Sequence, residues 1–247
     1  MAQDREPLQR DQKIVVTKDG PYVVTGSVPL MTKIIANDDK GYSHHWRAGS
    51  SYPLREEYSL CRCGKSVSSP FCDGYHEKGG FDGTEVADHE PYSEKAQTIM
   101  GPNLVLGDYE KLCSSAKFCD RAGGIWNLTR QSGNAAAREI AITEAGNCPS
   151  GRLVAREREK GNIIEPFFVP SIGLIQYPKE NTGPGRKAQP GQPGPIWVRG
   201  GIPVISADGT PYEIRNRQTL CRCGRSGNKP FCDSSHLDPE PPEPEQQ

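Results

Sequence analysis

Cys61-Arg62-Cys63-Gly64-Lys65-Ser66-Val67-Ser68-Ser69-Pro70-Phe71-Cys72-Asp73-Gly74-Tyr75-His76 returns late in the chain as Cys221-Arg222-Cys223-Gly224-Arg225-Ser226-Gly227-Asn228-Lys229-Pro230-Phe231-Cys232-Asp233-Ser234-Ser235-His236. Both copies have the spacing C-x-C-x8-C-x3-H. Three thiolates and one imidazole suit either a tetrahedral zinc or a two-iron cluster. The first would be a folding staple and the second a redox centre.

Working outward, the repeat is larger than the block. Gly20-Pro21-Tyr22-Val23-Val24-Thr25-Gly26-Ser27-Val28-Pro29-Leu30 parallels Gly194-Pro195-Ile196-Trp197-Val198-Arg199-Gly200-Gly201-Ile202-Pro203-Val204. Each block therefore carries its own upstream β-segment. The first copy is longer by about 14 residues, roughly Asn37 to Ser50, a stretch holding His44, His45 and Trp46. Ile14-Val15-Val16 and Tyr22-Val23-Val24 flank Asp19-Gly20-Pro21 and predict a hairpin.

Composition limits the rest. Only 34% of the 247 residues are hydrophobic, while Gly (27) and Pro (22) are abundant, so cores are small and loops many. Small cores often need metal staples. A net charge of −1 gives no electrostatic case for nucleic acid or an anionic membrane. No apolar run approaches the roughly 20 residues of a membrane span. Met1-Ala2-Gln3-Asp4-Arg5-Glu6 lacks the apolar stretch of a signal peptide, so a soluble, cytoplasmic protein is expected. Nine cysteines, an odd number without a secretion signal, argue for reduced thiols rather than disulfides.

At the level of the full block, C-x-C-x2-S-x3-P-x-C-D-G-x-H resembles the CDGSH iron–sulfur family, which includes mitoNEET. The match extends beyond the ligands to Ser66 and Ser226, Pro70 and Pro230, and Asp73 and Asp233. The resemblance implies a [2Fe–2S] cluster at each block. Cys61 and Cys63 would hold one iron and Cys72 and His76 the other, with Cys221, Cys223, Cys232 and His236 serving the second cluster. In single-motif members two chains pair and their β-segments form a shared cap. The resemblance thus implies an intramolecular pseudo-dimer here. Tyr75 stands where a small residue is usual, and Ser234 replaces the usual glycine.

The residues themselves support parts of this. Cys-x-Cys can chelate one metal, and Gly64 and Gly224 permit a tight turn beside it. Pro70 and Pro230 stiffen the approach to the third cysteine. Cys72 and His76 are an i, i+4 pair that a helical turn would bring to one face. Asp73, Asp233, Ser66 and Ser226 are candidates to support the ligands by hydrogen bonding. A neutral imidazole ligand raises a cluster's potential and makes it proton-sensitive. The other reading is a Cys3His zinc site.

The central region differs in kind. Cys113-Ser114-Ser115-Ala116-Lys117-Phe118-Cys119 and Cys148-Pro149 resemble a single-cluster bacterial ferredoxin in which Ala116 takes the middle ligand position. Three thiolates would hold a [3Fe–4S] cluster, or a [4Fe–4S] cluster with one iron open. The alternative is three ordinary buried cysteines. Helices are predicted over Tyr109–Asp120 and Asn134–Ala145, the second with Asn134 or Gly133 as cap and Gly146 as stop. Residues 82–150 carry a local charge of −4, suited to a basic redox partner or to a solvated face. His44, His45 and His89 read as surface residues, and Trp126 and Trp197 as core.

The expected fold is α+β: small β-rich CDGSH-type units, with a ferredoxin-like region inserted. The boundaries read 1–81 for the first unit, 82–177 for the central region and 178–193 for a Pro/Gly-rich linker. They continue with 194–237 for the second unit and 238–247 for a disordered tail. No nucleophile–base constellation or nucleotide loop is present, so an electron carrier is expected rather than an enzyme. Its partner would be a redox protein or an apo-protein cluster acceptor, and the chain a monomer. Cluster storage, transfer or sensing is the second class, and a zinc-stapled interaction module the third.

Overall fold

The computed structural model describes residues 11–178 and 187–239. The expected frayed start, most of the linker and nearly all of the tail lie outside them. The first unit contains β1 (Lys13–Val16), β2 (Tyr22–Thr25), β3 (Leu30–Asn37), β4 (Ser43–Ser51) and β5 (Glu57–Leu60), then the one-turn α1 (Tyr75–Lys78). A second one-turn helix, α2 (Tyr92–Lys95), leads to β6 (Gln97–Met100), β7 (Leu104–Asp108), α3 (Ile125–Arg130), α4 (Ala135–Asn147), β8 (Leu153–Glu157) and β9 (Ile163–Ile164). The chain ends with β10 (Ser171–Gln176), β11 (Pro193–Arg199), β12 (Val204–Ile205) and β13 (Arg217–Leu220). The result is mixed α+β, mostly sheet with few helices.

The strands form three sheets, in the orders β12-β1-β2-β5, β13-β11-β10-β3-β4 and β6-β7-β8-β9. The first two repeat each other strand by strand. Tyr22 opposes Leu60 in one and Ile196 opposes Leu220 in the other. Ile14 opposes Val24, and Ile172 opposes Val198. The third strand of each unit crosses over: β3 runs parallel to β10, Leu30 beside Ile172, while β12 runs parallel to β1, Val204 beside Ile14. Buried side chains of both sheets fill one core, including Ile14, Val24, Leu30 and Leu60 with Ile172, Val198, Val204 and Leu220.

The predicted hairpin of β1 and β2 is present with its turn at Asp19–Gly20. The inserted stretch 37–50 becomes the end of β3, its turn and most of β4. Trp46 on β4 packs on Trp197 (4.6 Å between centroids) and Phe118 (4.9 Å). The insertion thus ties the first unit to the central region.

Three expectations need correction. The boundary at 177 places Ile172–Tyr177 in the central region, but β10 is a strand of the second repeated sheet. The Tyr109–Asp120 helix is replaced by 3-10 turns at Glu110–Leu112 and Phe118–Gly123. Left-handed backbone at Ser115 (φ 56) and Lys117 (φ 63) breaks any helix between them. In α4, Asn134 caps as expected by accepting from the amides of Ala136 and Ala137, but the helix runs past Gly146 to Asn147. The Cys148-Pro149 step ends it, since the residue before proline disfavours helical backbone.

The central region packs α3 and α4 on its own sheet through Leu104, Leu106, Ile125, Ala141 and Leu153. It also covers one outer face of the second unit. β5 alternates buried and open positions, whereas all four residues of β13 are buried. Two equivalent strands therefore meet different surroundings. No helix among the described residues is long and apolar enough to cross a membrane.

Candidate metal centres

Each repeated block hangs from the end of its hairpin. Cys61 N and Cys221 N both donate to the carbonyl of their block's proline, Pro70 and Pro230, at 2.8 Å. Cys72 N and Cys232 N donate back to Ser59 O (3.0 Å) and Thr219 O (2.9 Å) on the preceding strand. Two cysteines of each block are thereby pinned to a sheet end. The Ser66 and Ser226 hydroxyls donate to Phe71 O (2.6 Å) and Phe231 O (2.7 Å), closing each loop. Asp73 accepts from the amides of Val67 (2.8 Å) and Tyr75 (3.1 Å), and Asp233 from those of Gly227 (2.7 Å) and Ser235 (3.0 Å). These bonds hold both carboxyl groups below the ordinary carboxylate range, though burial opposes them at Asp233. The serines and aspartates are loop braces.

The donor atoms come in pairs. Cys61 Sγ lies 3.6 Å from Cys63 Sγ, and Cys221 Sγ lies 3.7 Å from Cys223 Sγ. His76 Nδ1 is 3.4 Å from Cys72 Sγ, and His236 Nδ1 is 3.5 Å from Cys232 Sγ. The expected helix face does not create these last pairs. A left-handed residue, Gly74 (φ 83) or Ser234 (φ 79), bends the chain between cysteine and histidine, and the helical turn starts only after it. Among the described residues, no three His, Cys, Asp or Glu side chains converge tightly enough to hold one metal ion.

The two blocks face each other. Gly64 has φ +80, and a Cβ there would lie 2.7 Å from Cys223 O; Gly224 has φ +78, and its Cβ would lie 2.6 Å from Cys63 O. Glycine is required at both positions by conformation and by this reciprocal approach. Tyr22, from the first unit, reaches across to donate toward Cys221 O (2.8 Å) and Pro230 O (3.0 Å). Burial keeps its phenol protonated. An open hollow of about 850 Å3 lies between the blocks, lined by Cys61, Gly64, Cys223, Cys232 and His236 among others.

Their environments differ. The first block's Arg62 is buried, donating to Thr17 O (2.8 Å) and Gly83 O and facing the Tyr22 and Phe81 rings. His76 is 15% exposed in its side chain, with Nε2 3.9 Å from the open Glu77. His236 is 6% exposed, and its Nε2 lies 2.9 Å from the Tyr177 hydroxyl. Burial pulls the His236 imidazole down to about 4. The Cys223 thiol is pulled down to about 6, first by its hydrogen bond with Cys221 and also by Arg225, while Cys221 is pushed up. One member of that pair is thus ready to ionise.

The central cysteines share one concavity. Cys113, Cys119 and Cys148 line a space of about 300 Å3, and Ala116 lies on its wall between the first two. Burial, then neighbouring Asp120 and the other two cysteines, push the Cys119 thiol up. A bound cation would offset that penalty, because a metal ligates the thiolate. The region's −4 charge spreads over the whole segment, and its acids are partly paired, Asp108 with Arg152 at 2.6 Å and Asp120 with Lys117 at 3.0 Å.

The family described as iron-binding zinc finger CDGSH type matches residues 19–77 and 193–237, and the divergent 4Fe-4S mono-cluster family matches residues 99–158. The chain carries two CDGSH-type segments around a 4Fe-4S-type segment. No curated protein and no solved structure matches the chain. The 4Fe-4S-type match includes Cys113, Cys119 and Cys148, and the CDGSH-type matches include all eight proposed ligands of the blocks.

Other candidates stay apart from these sites. His44 and His45 sit exposed on β4 with their Nδ1 atoms 3.3 Å apart. His89 is exposed and stacks on Tyr212 at 4.3 Å. Trp197 is buried core, and Trp126 is half-buried with its indole donating to Asp108. Sequence reasoning passed over Tyr22, Tyr177 and Arg217. Only Tyr22 left a signal there, as a phenol that the repeat aligns with an aliphatic residue, Ile196.

Proposed function

We propose that this chain is an iron–sulfur electron carrier with two Cys3His [2Fe–2S] sites and a third cluster in the central cysteine cavity. Donor pairing carries the two-iron reading. Two thiolates bound to one tetrahedral metal at about 2.3 Å sit about 3.8 Å apart, close to the 3.6 and 3.7 Å of the Cys-x-Cys pairs. Each block offers one thiol pair and one thiol–imidazole pair, a division that matches two irons taking one pair each. Such clusters, when bound, accept and release single electrons. The chain's own part is to fix the cysteines to strand ends, aim each Nδ1 at its cysteine and keep the second site dry. In the central cavity three thiolates and Ala116 suit a [3Fe–4S] cluster, or a [4Fe–4S] cluster with one iron lacking a thiolate.

The reciprocal contacts of Gly64 and Gly224, and the exchange of β3 and β12, support reading the two units as an intramolecular pseudo-dimer. A soluble redox protein is the partner class this reading requires, with no nucleic acid or membrane. The open edge of His76 favours a second reading, delivery of a labile cluster to an apo-protein.

Anaerobic purification with iron and sulfide counting, and EPR of oxidised and reduced protein, tests this. The [2Fe–2S] sites give a signal on reduction, whereas a [3Fe–4S] centre gives one when oxidised. Reversible dithionite reduction without iron loss supports the carrier, while transfer of iron and sulfide to apo-ferredoxin supports delivery. A colourless protein with stoichiometric zinc overturns both.

A further inference from the structure

Ser234 breaks a local rule. Its counterpart Gly74 takes φ 83 freely, whereas Ser234 holds φ 79 with a side chain attached. Left-handed backbone disfavours any residue with a Cβ, and such an outlier points to a compensating contact. That contact is present: Ser234 Oγ donates to Cys113 O at 2.7 Å, joining the loop before His236 to the first cysteine of the central cavity.

Three more residues, Tyr177, Arg217 and Asn228, bond across the same seam. Tyr177 OH lies 3.1 Å from Ser114 O and 2.9 Å from His236 Nε2. A hydroxyl with one proton satisfies both by donating to the carbonyl and accepting from the imidazole N–H. That arrangement leaves Nδ1 free to face Cys232. Arg217, four residues before Cys221 on β13, donates to Cys148 O at 2.7 Å and to Ala145 O and Leu153 O at 2.8 and 2.9 Å. Asn228 Nδ2 reaches Lys111 O at 3.2 Å. In the first block, Val67 and Tyr75 stand open where Gly227 and the half-buried Ser235 stand in the second.

We infer that the second CDGSH-type block and the central cysteine loop load and retain their metal groups as one cooperative unit, with Ser234 and Tyr177 as positioning residues that join them, braces that the first block does not share. The inference rests on the proposed reading that both sites hold clusters. Two sites that share braces couple because ordering one loop removes part of the ordering cost of the other. The backbones of Cys113, Ser114 and Cys148 are held by the same residues that fix His236 and Cys221. A group bound at either site therefore holds the shared seam for the other.

The test uses the full chain with Cys61→Ser and Cys72→Ser, so that the remaining [2Fe–2S] absorbance belongs to the second block. Iron and sulfide counting on this starting protein checks the reading itself. A count of two irons per chain removes the central group, and the inference falls with it. With both groups present, chelator-driven loss of the second block's absorbance at neutral pH is timed. Adding Cys113→Ala and Cys148→Ala is expected to speed that loss about fivefold or more. Ser234→Gly and Tyr177→Phe are each expected to reproduce part of the acceleration, and to add nothing once the central cysteines are gone. Ser234→Gly suits the left-handed backbone, so loss of folding does not confuse the result. In the converse chain, with Cys221→Ser and Cys232→Ser, the first block's loss rate should ignore Ser234→Gly. Equal second-block rates with and without the central cysteines overturn the inference. So does strict additivity of the Ser234 and central-cysteine changes.

Discussion

A buried imidazole offers a lone pair to a metal only while it is neutral, and burial itself disfavours the charged form. At His236 burial lowers the pKa from 6.5 to about 4. As pH falls, the unfolded chain takes up this proton before the folded chain does. The metal-free fold therefore loses stability between about pH 6.5 and about pH 4, and His236→Gln should reduce that slope in denaturant titrations. The same enclosure separates the two loaded blocks. His76 has an open edge, so at about pH 6 the first block should bleach before the second. His76→Cys should abolish the early phase, whereas His236→Cys should leave it intact; a single phase untouched by His76→Cys would refute the distinction. Glycines at this scale differ too. A Cβ at Gly74 meets nothing within 4 Å, but at Gly224 it meets Cys63 O at 2.6 Å. Gly74→Ala should cost about 1–2 kcal/mol from backbone conformation alone. Gly224→Ala should cost more, and should also lower the iron content of both blocks, as thermal unfolding and iron assay would show.

Helix α4 carries a second buried ionisable group, on the face turned toward the 3-10 turn after Cys119. Glu144 is 1% exposed, and neither carboxylate oxygen has a hydrogen-bond partner among the described residues. Burial raises its pKa to about 8, against the pull of Arg121 at 3.7 Å. A carboxyl group whose folded pKa lies above its unfolded value stabilises most below about pH 4.5, and the contribution is lost as pH rises through about 8. Glu144→Gln keeps the shape and removes the ionisation. It should raise stability at pH 8 by about 1–3 kcal/mol and change little at pH 5. Thermal melts at the two pH values compare them directly, and an equal shift at both would show that the effect is not ionisation. Elements like α4 were legible locally, because an Asn cap and an alanine-rich run act through neighbours in sequence. The cysteine and histidine pattern proposed here to ligate iron is legible for the same reason, since a chelate fixes its spacing. What escaped was made by distant partners. Nothing near Ile172 says that β10 joins Leu30 and Ile196 rather than the central sheet, because its apolar run serves either. The left-handed bends at Gly74 and Ser234 likewise replaced the expected helix, since the Asx braces at Asp73 and Asp233 favour a turn there.

At the scale of the whole molecule, the crossed strands decide what counts as a folding unit. β3 belongs in sequence to the first unit and in space to the second sheet, and β12 does the reverse. Their side chains, Leu30 and Val204, enter one core filled equally from both ends of the chain. A fragment ending near residue 81 would keep the β1–β2 and β3–β4 pairs but leave β1 without β12 and β3 without β10, opening one edge of each and exposing much of that core, which isolated small sheets cannot sustain. The chain should therefore need both ends at once. Expressed alone, residues 1–81 and residues 165–247 should each lack a cooperative thermal transition. Mixed with the central region supplied in trans, or produced together, they should regain one. The intact chain, satisfied internally, should scatter light as a single copy of 27.1 kDa. A mass near twice that value would mean that β3 and β12 cross between two molecules instead of within one, since the same pairings can be made by domain exchange. Folding of residues 1–81 by themselves would show that the crossed strands decorate two independent units rather than create one.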